Sequence, residues 1–149
     1  VHIDLLCHHE MNQLKKLQQK PDIHYQIEGD KSNDLIYSGP NHFGIIITHL
    51  LNNANKFTDQ GSITLSYQPE EEGKIMCISV TDTGCGIPAD KSEWIFERFT
   101  KNDDFIPGSG LGLYLCRLIT QRLNGSLKLD TSYTGGARFV LRLPINPYK

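Results

Sequence analysis

No C-x-x-C pair occurs among the four cysteines, Cys7, Cys77, Cys85 and Cys116. A zinc site normally needs such a pair or clustered histidines, so this spacing argues against metal or redox function. Cys77 falls in a strand-like run and Cys116 in a helix-like run, which reads as small buried side chains in a reducing compartment. There is no basic excess: Lys+Arg 15 against Asp+Glu 17 gives a formal charge of −2. A duplex-DNA binder usually carries a positive surplus, so nucleic acid is not expected as a partner. No apolar run approaches the length that spans a bilayer, and no signal peptide opens the chain. Repeats and dividing linkers are also missing. What remains is 149 residues, 38% hydrophobic and 21% charged, with 13 Gly and 7 Pro. That composition excludes a coiled coil, a collagen-like repeat and a wholly disordered chain, and suits one domain with a real core. The chain opens on Val1 rather than Met, and is expected to be a piece of a longer protein.

Residues 4–19 have the spacing of an amphipathic helix, with Asp4 as a candidate cap and Pro21 as its stop. Ile23, Tyr25 and Ile27 alternate with polar residues and predict a strand. Leu35–Tyr37 is a further short apolar run. After Ser38-Gly39-Pro40, a long helix is expected over about 41–57. Ile63, Leu65 and Tyr67 predict a strand, and Ile75–Thr81 another, joined by the acidic run Glu70-Glu71-Glu72-Gly73 as a solvated hairpin tip. A short helix is expected after Pro88, then a loop over about Lys101–Gly110. A helix over Leu111–Leu123 should stop at Asn124-Gly125, and strands should follow at Ser126–Thr131 and Ala137–Leu143. This mixture predicts an α/β (α+β) two-layer sandwich, a mixed sheet with helices packed on one face.

Three segments carry polar chemistry. On the long helix, Phe43, Ile46, Leu50, Ala54 and Phe57 share one arc, while His49, Asn52, Asn53 and Lys56 share the other. Asn is a poor helix former, so adjacent Asn residues suggest a task. A carboxamide oxygen suits Mg²⁺, and Lys56 can meet a phosphate; a merely polar face explains the stripe equally well. Asp82-Thr83-Gly84-Cys85-Gly86-Ile87-Pro88 follows a predicted strand directly. Its glycines permit a tight turn, and the Asp82 carboxylate, an acceptor only, suits an exocyclic amine such as that of adenine. Gly108-Ser109-Gly110-Leu111-Gly112 opens a helix, where exposed N–H groups favour anions. The spacing is wrong for a dinucleotide fingerprint, and no Walker A lysine is present.

In this order the segments resemble the boxes of the ATP-binding catalytic domain of sensor histidine kinases, within the wider GHKL ATPase group. HLLNNANKFT (49–58) looks like the N box, DTGCGIP (82–88) the G1 box, IFERF (95–99) the F box and GSGLGL (108–113) the G2 box. The resemblance covers nearly the whole chain, most firmly 40–144. It implies a Bergerat-type ATP-binding fold over 1–149 as a single domain, with ATP and Mg²⁺ as cofactors. Residue by residue, it implies that Asn53 binds Mg²⁺ and that Lys56 contacts phosphate. Phe57, Gly84, Gly86 and Ile87 would shape the nucleotide pocket, and Asp82 would take the adenine amine. Gly108, Ser109, Gly110, Leu111 and Gly112 would form the phosphate-side loop and helix start, with Lys101 as a nearby basic residue. Asn53 and Lys56 are the implied catalytic pair.

The chain departs from the pattern at His49, where such kinases usually carry Asn; His49 is either a nucleotide contact or a tolerated substitution facing the cleft. The stretch Thr100–Pro107 is also short and is expected to form a small, mobile lid; it holds Asp103 and Asp104, which would repel phosphates if they pointed inward. No Glu lies between Asp34 and Glu70, so the water-activating Glu of the gyrase-type and chaperone relatives is missing, and weak ATP hydrolysis is expected. His9-Glu10 resembles the start of an acceptor motif but lacks the following Pro, so the phosphoacceptor (dimerisation) domain is expected to be absent. The implied function is transfer of the ATP γ-phosphoryl group to a histidine on that separate domain of the same parent. A response-regulator receiver domain would act downstream. The domain would be cytoplasmic, without direct membrane contact, though the parent could be membrane-anchored. Two alternatives are a serine kinase of the anti-sigma-factor type and a degenerate nucleotide-binding docking module.

Overall fold

The computed structural model describes residues 2–29, 40–97 and 112–145. The first helix, α1 (Ile3–Gln18), buries Ile3, Cys7, Met11 and Leu14, one stripe at helical spacing. Asp4 does not cap it. The cap position is His2, without a side-chain cap bond. Asp4 instead lies in the first turn, where its carboxylate accepts the Tyr67 hydroxyl at 2.6 Å. Strand β1 (Ile23–Gly29) follows, then α2 (Pro40–Phe57). Proline at a first helical position loses nothing, because that N–H has no intrahelical partner. Strands β2 (Gly61–Glu70) and β3 (Ile75–Asp82) form a hairpin whose exposed tip holds Glu71 and Glu72 at φ 50° and 58°.

After Pro88 the expected helix is absent. Two single 3₁₀ turns, Ala89–Lys91 and Trp94–Phe96, stand in its place and bury Ile95 and Phe96. Helix α3 (Gly112–Arg122) is followed by β4 (Ser126–Leu129) and β5 (Arg138–Pro144). Asn124 adopts a left-handed φ of 62°, the Asn124 N–H reaches the Gln121 carbonyl at 3.1 Å, and that of Gly125 the Thr120 carbonyl at 2.9 Å. This is a Schellman stop with Asn, not Gly, in the left-handed position.

The sheet has the order β1-β2-β3-β5-β4, with β1 parallel to β2 and the other pairs antiparallel. The parallel pair needs a crossover, and α2 supplies it. Ile63, Leu65 and Tyr67 of β2, Met76, Ile78 and Val80 of β3, and Phe139, Leu141 and Leu143 of β5 are all buried. They meet Phe43, Ile46, Ile47, Leu50 and Leu51 of α2 and the buried stripe of α1 in one core. The opposite sheet face carries Thr64, Ser66, Ser79, Thr81, Arg138 and Arg142. The architecture is therefore the expected mixed sheet with helices on one face. Cys7, Cys77 and Cys116 are buried thiols, while Cys85 is exposed. Burial pushes Cys7 and Cys116 up to about 12, so both stay protonated. Among the described residues, no helix is long and apolar enough to cross a membrane. The Leu35–Tyr37 run and the Thr100–Pro107 stretch lie outside the described residues.

Candidate functional site

Asp82 ends β3 in the same alternation as Met76, Ile78 and Val80, so its carboxylate points under the helical layer. It is 4% exposed. Its Oδ1 accepts the N–H of Gly84 at 2.9 Å and of Ala137 at 3.2 Å. Burial pushes its pKa upward, and those two backbone donors oppose the shift. Among the described residues all its carboxylate hydrogen bonds fall on Oδ1, which leaves Oδ2 to a donor in the cavity.

That cavity is lined by Asn53, Ala54 and Phe57 of α2, Asp82 at the end of β3, Gly86 and Ile87 of the glycine turn, Ala137 just before β5 and Phe139 within it. Its walls stand close, leaving about 10 Å³. A heterocycle enters only if half-buried walls such as Phe57 and Ile87 swing aside. Gly86 and Ile87 also line a neighbouring groove of about 450 Å³ beside Cys85 and Tyr133. The ring of Phe139 is held edge-on by Phe96, centroids 6.0 Å apart, and the Arg117 guanidinium covers the Phe96 ring at 4.3 Å. The F-box aromatic thus braces the cavity wall.

The glycines act through space and backbone. A Cβ on Gly84 would lie 2.2 Å from the Phe57 carbonyl oxygen, so only glycine lets the turn dock on the end of α2. Cys85 N–H donates to that same oxygen at 3.4 Å. Gly86 has φ +76°, a left-handed conformation that disfavours side chains. His49 is half-buried on α2 and faces α3: a Cβ on Gly112 would lie 3.1 Å from its Nδ1. Burial pushes the His49 imidazolium down, so the neutral ring prevails near pH 7.

Five of the residues singled out from sequence, Asn53, Phe57, Asp82, Gly86 and Ile87, line one cavity. Gly84 backs that cavity, and His49 meets Gly112 one turn earlier on α2. Lys56 is exposed and does not line it. Lys101, Gly108, Ser109, Gly110 and Leu111 lie outside the described residues. Sequence reasoning missed Ala54, Ala137 and Phe139 as walls, and missed Asn55, which is 2% exposed. Phe139 shares the apolar alternation of β5, but only the register Val80↔Phe139 places it beside Asp82.

A larger concavity, about 610 Å³, lies on the open sheet face. Its walls are Ser, Thr and pre-paired charges, Arg142 with Glu70 at 2.9 Å and Arg138 with Asp130 at 3.5 Å. That is the solvated side of an antiparallel sheet, with its cations already engaged.

A mixed sheet under helices on one face, with an acidic strand end and an Asn-bearing helix lining one slot, is the architecture that the comparisons with known proteins bear on. Residues 39–147 match the family described as histidine kinase-, DNA gyrase B-, and HSP90-like ATPase, and the chain belongs to that family. It is 36% identical over 108 residues to the autoinducer 2 sensor kinase/phosphatase LuxQ of Vibrio harveyi, covering 67% of this chain and 13% of LuxQ. It is 33% identical over 150 residues to the adaptive-response sensory kinase SasA of Gloeothece citriformis, covering 97% of this chain and 37% of SasA. Full-length ShkA in complex with AMPPNP superposes with a TM-score of 0.84 at 26% identity, covering 97% of this chain and 30% of ShkA. The chain thus spans well under half the length of these sensor kinases.

Proposed function

We propose that this domain binds ATP with Mg²⁺ and donates the γ-phosphoryl group to a histidine on a separate phosphoacceptor domain of the same parent, in a two-component pathway with a receiver domain downstream. The observation that carries the proposal is that Asn53 and Asp82, from segments far apart in sequence, line one cavity. Asp82 Oδ2 accepts the adenine amine, and the buried surroundings make that hydrogen bond count. Phe57, Ile87 and Phe139 enclose the base between apolar surfaces. Asn53, one turn below His49 on the same helix, offers its carboxamide oxygen to Mg²⁺. The fit is good: Mg²⁺ usually takes one or two protein oxygens and completes its shell with phosphates and water. When bound, Mg²⁺ neutralises phosphate charge at the transferring group.

Lys56, exposed at the rim, adds positive charge for the outer phosphates. The family resemblance assigns Lys101, Gly108, Ser109, Gly110 and Leu111 to the phosphates as well, and the N-terminus of α3 at Gly112 favours anions. Neutral His49 beside Gly112 can offer an N–H or accept one there. Helix α2 carries no Glu, the residue that activates water in the gyrase-type and chaperone relatives, so phosphoryl transfer to a histidine is favoured over hydrolysis. The imidazole acceptor is nucleophilic when neutral. The site is expected to work in the cytoplasm. The test is calorimetric titration with ATP and Mg²⁺, followed by transfer to the parent's acceptor hairpin, scored as acid-labile phosphate. Tight ATP binding with no acid-labile product would refute the transfer half; no ATP binding by the folded chain would refute the whole.

A further inference from the structure

On the side of α2 turned toward α1 and β1, behind the cavity wall, lies a second polar group. Helix α2 ends at Phe57 without a glycine directly after it, and its last carbonyls need partners. Lys20, in the connection between α1 and β1, meets one of them and the carbonyl just past the helix end. Its ammonium donates to the Asn55 carbonyl at 2.6 Å and to the Thr58 carbonyl at 2.9 Å. A cation here also meets the negative end of the helix dipole. The nearby Asp59 carboxylate, at 3.7 Å, is 97% exposed and adds little.

The buried Asn55 side chain closes the arrangement. Its Oδ1 accepts the Tyr25 hydroxyl at 2.6 Å, and its Nδ2 donates to the Gln18 carbonyl at 3.1 Å. The Tyr25 hydroxyl in turn accepts the backbone N–H of Lys20 at 3.0 Å. Asn55 stands two residues from both Asn53 and Phe57. Two residues are about 200° of helical rotation, so fixing Asn55 on one side fixes its neighbours on the other.

We infer that Lys20, acting through its ammonium on the Asn55 and Thr58 carbonyls, is a positioning residue for the nucleotide site. It sets the rotation and height of the last turn of α2, and with it where Asn53 and Phe57 meet the ligand. This rests on the ATP-binding reading above. Lys20 touches no part of the cavity, so its effect is indirect.

The test compares the unchanged chain with Lys20→Met and Lys20→Arg. Lys20→Met is expected to weaken ATP·Mg²⁺ binding about tenfold, since small misplacements of positioning groups are costly. The gain in affinity that Mg²⁺ confers should shrink with it. Amide hydrogen exchange over residues 53–57 should quicken about tenfold, as that turn opens more readily. Lys20→Arg should restore most of the affinity, because a guanidinium also donates to two carbonyls. A Lys20→Met protein that melts lower yet binds ATP·Mg²⁺ as tightly, with the same Mg²⁺ dependence, overturns the inference and leaves Lys20 a stabilising cap alone. If the unchanged chain binds no ATP, the nucleotide reading itself fails and the inference falls with it.

Discussion

Asp82→Asn separates ligand recognition from folding. Asp82 Oδ1 already accepts two backbone N–H groups, from Gly84 and Ala137. Asparagine keeps one acceptor oxygen, and those two donors hold it in place. The amide NH₂ then stands where Oδ2 stood, donor facing the donor amine of adenine. The loss is one charge-assisted hydrogen bond, about 1.5–3 kcal/mol, or about 10- to 150-fold in affinity. Stability should respond differently. Burial raises the folded-state pKa of Asp82 above its ordinary value. A carboxyl shifted that way favours the fold at low pH, and the benefit is lost as pH rises through the folded-state value. At neutral pH the buried charge is a cost, and Asn removes it. The melting temperature at pH 7.5 should therefore stay within about 3 °C of the parent's. Calorimetric titration with ATP·Mg²⁺ and a thermal melt measure both. Unchanged affinity would remove Asp82 from the site; a collapsed melt with intact affinity would make it a structural residue.

Asn53→Ala should abolish most of the affinity that Mg²⁺ adds while shifting the melt little, since Asn53 is only half-buried; equal loss with and without Mg²⁺ would contradict its metal role. Gly84→Ala should destabilise by at least about 1 kcal/mol, because its Cβ would press on the Phe57 carbonyl at 2.2 Å and part the glycine turn from α2, a shift that denaturant unfolding would register. His49 has a folded-state value below 6.5, so it lends stability above that pH that is lost as pH falls through the folded value. His49→Asn should flatten the fall in melting temperature between pH 7.5 and about 5, and an unchanged slope would place the acid sensitivity elsewhere. The chain alone should hydrolyse ATP only weakly, a point a phosphate-release assay decides directly.

Much of the site could be read from residue order, because its chemistry sits in contiguous runs. Asp82 was readable because a period-two strand runs into it, and the same period aims its side chain beneath α2. Asn53 was readable because Asn is costly inside a helix. Asn55 carries the same cost but has a different task, and nothing in NNANK says which Asn lines the cavity and which faces α1. Only the third dimension brings Gln18, Lys20 and Tyr25 to it. Phe139 was hidden for a related reason: β5 reads as core throughout, and its register against β3 decides which core residue is also a wall. The 3₁₀ turns after Pro88 escaped because ADKSEWIFERF has helical composition. Packing of Ile95, Phe96 and Trp94 at the edge of the core overrides that local preference.

The central claim is that nucleotide lies between the last turns of α2 and the end of β3. An amide NMR titration of the isotope-labelled chain with ATP·Mg²⁺ tests it most directly. The largest shifts should fall on Asn53, Phe57, Asp82, Gly84 and Gly86, and should be much reduced in Asp82→Asn. Shifts gathered instead on Thr64, Ser66, Arg138 and Arg142, across the open face of the sheet, would contradict the account.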